Sequence, residues 1–491
     1  MIFCTIALLF LPLSLGAEPS NYTYNYNFSG DTMASPDPYR VVDYLLGTDF
    51  GVGPFREAQG LFIRENRIYI CDTGNNRIVL LEADDTGGYT LKAVVSSVRI
   101  GEEESLFSGP QDIFEDAKGF LYIADTNNGR ILKLNRDWGF VSAIFRPDDE
   151  TIDPEMDFLP SKLVVDKTGR LYLQALNMNK GLMEFNNRGE FSGFVGAEKV
   201  MVNPIDYFWK SIATKAQRET MDLFVPTEYN NLHLDHEGFI YVTNSSFTLS
   251  DSETGNITDV GTPVKRLTPT GTDILLHNGW NEFIVGDTAW GMLGPGAPKG
   301  GSRFVDVTSL ENGAYVCLDQ KRGRLFTYDS QGNMLYAFGG MGNREGYFLF
   351  ASALEHMGSS LFVLDSQAGS LTRFDLTGYG AAINAAMEEY AAGRYPESGA
   401  RWEEVLKMNG NYDLAYVGIG RAAYQQGEFE KAMYYFKIKY SVENYAAAFQ
   451  AYRKEWVERN LWIIVLALGL LFVAPPLWRS GAKLVKKIQE A

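Results

Sequence analysis

Residues 63–82 read IRENRIYICDTGNNRIVLLE, and residues 113–135 read IFEDAKGFLYIADTNNGRILKLN. Each is an apolar strand, a turn, and a strand led by an aromatic residue that ends in Asp. A second turn and another apolar strand follow. Alternation with period two over runs this short is the mark of half-buried strands. The same sentence returns at 163–186, at 232–246 with 264–271, at 307–332 and at 354–378. The leading aromatics are Tyr69, Tyr122, Tyr172, Tyr241, Tyr315 and Phe362. Six copies of one unit therefore fill most of the chain before residue 380.

A unit of this size supplies four strands and cannot bury both faces of its own sheet. Stacking such sheets radially around a channel solves that problem and leaves few free edges. The fold class expected is mainly β: a six-bladed β-propeller over 39–379. The run Tyr39-Arg40-Val41-Val42-Asp43-Tyr44-Leu45-Leu46 precedes the first full unit. It is expected to supply the outer strand of the last blade and close the ring. Cys71 and Cys317 fall on equivalent strands of non-adjacent blades, which predicts buried free thiols rather than a bridge.

The motifs D-T-G-N-N-R at Asp72 to Arg77, D-T-N-N-G-R at Asp125 to Arg130 and F-G-G-M-G-N-R-E-G-Y-F at Phe338 to Phe348 resemble those of NHL-repeat propellers. In blade 3 the Asp gives way to Gln174-Ala175, and in blade 4 to Asn244. The Asp, Asn and Arg of these motifs are read as turn chemistry, with the Arg tying one blade to the next.

Composition sets outer bounds. The 491 residues carry 44 Lys plus Arg against 61 Asp plus Glu, a net charge of -17. No basic stretch is long enough to track phosphates, so nucleic acid is a poor partner. Three cysteines exclude a disulfide scaffold. The first seventeen residues, MIFCTIALLFLPLSLGA, read as a signal peptide. Leu461 to Trp478, LWIIVLALGLLFVAPPLW, holds no charge over a length near that of a bilayer core. It reads as a transmembrane helix. Arg479, Lys483, Lys486 and Lys487 follow in the tail 479–491, so the tail is expected to be cytoplasmic and the bulk of the chain extracytoplasmic.

Between propeller and anchor the composition turns Ala-rich. Tyr390, Gly393, Tyr395 and Trp402 recur as Tyr424, Gly427, Phe429 and Phe436. That 34-residue offset resembles the tetratricopeptide repeat, about two copies over 381–442. Ser398, Gly420 and Ala432 fit its small-residue helix crossings. A juxtamembrane helix is expected over 443–460. Taken whole, the chain resembles NHL–TPR surface proteins of Gram-positive bacteria. That resemblance implies a binding or scaffold role, a protein partner at the membrane such as a transport complex, and an association with carbohydrate import.

Two insertions break the repeat, at Gly196 to Asn230 and His277 to Ser302. The first reads as a helix with Ile205, Phe208, Trp209 and Ile212 near one face. Both are expected to rim one mouth of the channel with Tyr207, Phe208, Trp209, Trp280, Phe283 and Trp290. Asp112, Lys162, Asn231 and Asp306, at inner-strand starts, are expected at the same mouth. Aromatics with a few amides and carboxylates suit a sugar or a polar peptide. The alternative is a lactonase-like hydrolase with one divalent metal in the channel. Of the four histidines, His233, His236, His277 and His356, no metal-binding set can be aligned, and no cofactor or catalytic residue is assigned.

Overall fold

The computed structural model describes residues 23–27, 30–84, 86–152, 155–178, 180–196, 229–244, 262–277, 286–287 and 301–490. The expected signal segment lies outside them, as do Tyr207, Phe208, Trp209, Trp280, Phe283 and Trp290. The chain divides into two units, the first holding the residues up to Asn25 and Ala34–Gly380, the second Tyr26–Met33 and the residues from Ala381 on.

The first unit is a six-bladed propeller. Blade 1 is built from Gly60–Arg64, Arg67–Asp72, Arg77–Ala83 and Tyr89–Val95, paired in chain order. Blade 2 runs from Pro110–Glu115 to Phe140–Phe145, and blade 3 from Pro160–Val165 to Phe191–Val195, in the same up-and-down order. Blade 4 shows three strands among the described residues, from Tyr229–Leu234 to Val264–Leu267. In blade 5, which runs from Phe304–Ser309 to Met334–Gly339, an extra strand pairs on the outer edge, Tyr24 opposite Ala337. Blade 6 takes Ala351–Met357, Ser360–Asp365 and Ser370–Leu376 from the end of the unit and Tyr39–Leu46 from its beginning. The last pair runs antiparallel from Leu46 opposite Ser370 to Tyr39 opposite Leu376. The ring is closed by that strand, as its position in the sequence suggests. A hairpin of Ser97–Ile100 and Glu103–Leu106 between blades 1 and 2 has no counterpart in the repeat pattern.

The core lies between blades. Leu61, Ile70, Val79 and Leu81 of blade 1 meet Ala353, Phe362, Leu364 and Leu371 of blade 6. On the other side, Tyr69, Cys71 and Ile78 meet Ile113, Ile123 and Leu132 of blade 2. Each such Leu, Ile, Val or Phe, fully buried, contributes about 1.5–3 kcal/mol. Cys71 and Cys317 are buried free thiols, and burial pushes both far up from the ordinary thiol pKa.

One detail of the repeat alignment is corrected by the register. Phe114 pairs with Tyr122, but its counterpart Thr308 pairs with Val316. Tyr315 therefore sits one place before the other leading aromatics. A strand of five buried residues, four of them apolar, hides such an offset, because its inward and outward positions look alike.

The second unit is helical, its first helix beginning at the end of the propeller: α1 (Gly378–Ala391), α2 (Tyr395–Met408), α3 (Asp413–Gln425), α4 (Phe429–Ile438), α5 (Val442–Arg459) and α6 (Leu461–Gln489). Its crossings are made by small residues. A Cβ on Gly420 of α3 would come within 2.5 Å of the Phe436 ring of α4. Ser398 is buried and donates to the Ala386 carbonyl at 2.8 Å. The apolar span Leu461–Lys486 of α6 is long enough to cross a membrane, and none of its apolar window is buried. The helix runs on through Pro475 and Pro476 into the basic tail, where a separate segment was expected. The tail's Ala, Leu and Lys are good helix formers, which favours this continuation.

Candidate functional site

The motif turns come first, because they fix the blades. Asp72 is fully buried. One oxygen accepts from the Arg56 amide at 2.7 Å. The other accepts from Asn75 at 2.9 Å and from Arg77 Nε at 2.6 Å. Asp125 repeats this with Ser108, Asn128 and Arg130. The residue that reaches the next blade is the threonine. Thr73 donates to the Pro110 carbonyl at 2.8 Å, and Thr126 to that of Pro160 at 2.7 Å. The turn-chemistry reading thus holds for Asp and Asn. The Arg closes its own turn instead of bridging blades, because Asp lies five residues before it across a tight two-strand connection.

Inside this frame the inner strands line the channel. Five of them shift register near their start, between Pro110 and Asp112, Pro160 and Lys162, Tyr229 and Asn231, Phe304 and Asp306, and Ala351 and Ala353. Such a bulge re-aims the side chains that follow. It places Asp112, Lys162, Asn231 and Asp306 at equivalent positions of one ring, completed by Gly60 and Ala353. All four expected channel residues come together there. Three of them also tie blades to one another. Asp112 accepts from the Leu163 amide at 2.9 Å, and Asp306 from the Leu354 amide at 2.7 Å. Lys162 crosses to blade 1, its ammonium donating to the Gln59 carbonyl at 2.9 Å. Asn231 accepts from the Leu232 amide at 2.7 Å. Burial pushes the Asp112 carboxyl up to about 6 and that of Asp306 up to about 7, against the opposing pull of Lys162.

The next ring holds Phe62, Phe114, Val164, His233, Thr308 and Glu355. Its two sides differ. Phe62 and Phe114 lie with ring centroids 4.8 Å apart and planes tilted by 44°. Opposite in chemistry is a buried polar group from blades 4 to 6. His233 Nε2 is 3.1 Å from the Ser309 hydroxyl, and its Nδ1 is 3.6 Å from Glu355 Oε1. Glu355 Oε2 accepts from Thr308 at 3.3 Å and from the His356 amide at 3.1 Å. Thr308 also lies 2.8 Å from His356 Nδ1. Burial works against charge on His233, but the Glu355 carboxylate outweighs it and raises the imidazole pKa. Glu355 is correspondingly lowered, burial opposing and His233 prevailing. His356 is lowered by burial.

All members of these two rings but Gly60, Ala353 and Thr308 line a cavity of about 310 Å³ that extends to the turns carrying Ala117, Lys167 and His236. Lys167 reaches across that end to the His236 carbonyl at 2.9 Å. The cavity thus runs from the expected ring towards the face opposite the motif turns Asp72-Thr73 and Asp125-Thr126. Among the described residues no three His, Cys, Asp or Glu side chains are grouped to hold a metal ion.

Reading the sequence located His233 on an inner strand but missed Phe62, Phe114, Thr308 and Glu355. Aligning the inner strands on the leading aromatics would have put Phe62, Phe114 and Glu355 in the column of His233, but the offset of Tyr315 hides Thr308.

No known family of proteins matches the chain, and no curated protein is similar to it. Solved structures do match. Virginiamycin B lyase from Staphylococcus aureus is similar at 11% identity and a TM-score of 0.40, over 69% of this chain and 100% of that one. A streptogramin B lyase matches at 14% identity and 0.37, over 73% and 87%. The extracellular domain of a hybrid two-component system from B. thetaiotaomicron matches at 12% and 0.35, over 70% and 43%. At these values the likeness carries no functional argument.

Proposed function

We propose that this protein is a membrane-anchored binding protein of NHL–TPR type, whose propeller takes a small polar ligand in its channel. The observation that carries the reading is the cavity itself. All six blades contribute to its lining, and it combines an apolar side with buried ionisable groups. Concave sites of this size with a few convergent polar groups are where small molecules bind. The exposed apolar helix α6 supports the anchor, and the basic residues after it support a cytoplasmic C-terminus. The helical unit would carry or relay the propeller's state to a protein partner at the membrane, such as a transport complex. The lactonase-like alternative is not favoured by any described group of ligands.

The test uses the full chain in lipid nanodiscs. A library of small polar metabolites is screened by thermal shift against the native protein and Val164→Phe, which fills the cavity. A ligand that stabilises the native protein and not the variant supports the reading. A ligand that stabilises both equally, or none at all, refutes it. Truncation after Asn460 is expected to release the protein from membranes.

A further inference from the structure

We infer that the channel's ligand is a neutral, saturated ring bearing hydroxyl groups, the chemistry shared by a hexopyranose and a cyclitol. The inference rests on the channel being a binding site, and it follows from the two unlike sides of the cavity.

On one side, Phe62, Phe114 and Val164 offer apolar surface to the C–H face of a ring. The 44° tilt between the two phenyl rings makes no parallel slot for a flat aromatic ligand. On the other side is Glu355, only 8% exposed. Its Oε2 is occupied by Thr308 and the His356 amide. Its Oε1 faces His233 Nδ1 at 3.6 Å. A carboxylate that lines the cavity can accept a further hydroxyl donor in a strong, charge-assisted hydrogen bond.

Charge narrows the class. Asp112, Asp306 and Glu355 line the cavity and repel an anionic ligand. The three lysine and arginine cations there are each engaged by a backbone carbonyl: Lys162 by Gln59, Arg64 by Glu115 at 3.0 Å and Lys167 by His236 at 2.9 Å. A cationic ligand would compete with His233 for Glu355 and approach Lys162. A neutral ligand meets neither penalty. The volume of about 310 Å³ sits at the lower edge of ligand pockets, so one ring fits and a chain of rings does not.

Full-length protein in nanodiscs is titrated calorimetrically with D-glucose, D-galactose and myo-inositol. Gluconate, glucosamine and cyclohexanol serve as anionic, cationic and apolar counterparts. The expected result is binding of a neutral polyol, with the charged and apolar rings at least tenfold weaker. Preference for a hexopyranose or for inositol names the source. Glu355→Gln should weaken that binding by about tenfold or more. Should the variant fail to fold, saturation-transfer NMR on the native protein reads the same geometry: ring C–H protons of one face receive the strongest saturation. Uniform saturation, or full affinity in folded Glu355→Gln, overturns the inference. Binding of gluconate, glucosamine or cyclohexanol in place of the polyols overturns the ligand class and leaves the channel as a site. Silence from all six overturns the channel as a site as well.

Discussion

Acidifying the protein from pH 8 to pH 5 should stabilise the propeller. Asp112 and Asp306 are buried, and their carboxyls rise from an ordinary 3.8 to about 6 and about 7. An acid whose folded pKa lies above its unfolded value binds more protons in the native state between the two values. Its contribution to stability therefore falls as pH rises through that window. Integrated from pH 8 to pH 5, Asp306 returns about 3 kcal/mol and Asp112 about 1 kcal/mol, together about 4 kcal/mol. For a unit of this size that is roughly 5 °C in melting temperature. His233, raised by Glu355, adds in the same direction, since its stabilisation is lost as pH rises through its folded pKa, while His356, lowered by burial, works against it as pH falls below its ordinary 6.5. Carboxylates held low in the native state, such as Glu355 and Asp166, lose their contribution only below their ordinary 4.5 and 3.8, outside the window. Relief of the chain's net charge of -17 also favours the acid side. The decisive quantity is thus the difference between the native protein and Asp306→Asn. Urea unfolding at pH 5, 6, 7 and 8 should show a pH-dependent gain smaller by about 3 kcal/mol in the variant. Equal slopes in the two proteins would refute the placement of Asp306 as a buried, raised acid.

Three further outcomes follow from the geometry. Asp72→Ala strands the Arg56 amide and the Arg77 guanidinium, and urea unfolding should report a loss of about 3–5 kcal/mol. An effect near zero would mean the turn stands without its carboxylate. Gly420→Val drives a side chain into Phe436, and circular dichroism should show the helical unit destabilised by about 1–3 kcal/mol. Cys71 and Cys317 should resist alkylation in the native protein and react once it is denatured, as read by peptide mass spectrometry.

The fold was legible because a repeated strand–turn–strand pattern has few ways to bury itself. The closing role of Tyr39–Leu46 was legible for the same reason, since the sixth unit is one strand short without it. The ring of Asp112, Lys162, Asn231 and Asp306 was visible as a set of strand starts. The side of the cavity formed by His233 and Glu355 was not. Which inner-strand residues face the channel depends on the bulges at Tyr229 to Asn231 and Ala351 to Ala353. A bulge flips every later side chain, and no residue type announces it. The offset of Tyr315 shows the same limit, because alternation disappears in a strand buried on both faces.

The strand that closes blade 6 also dictates a schedule. Tyr39 finds its partner only at Leu376, so the first strand of the ring to leave the ribosome is among the last to be paired. Until then it is an open edge, and so is Ser370–Leu376 until the early strand returns. A chain halted before the sixth blade is therefore not a smaller propeller but an unlatched arc with both ends adhesive. Closure of the ring therefore waits on the last strands of the unit.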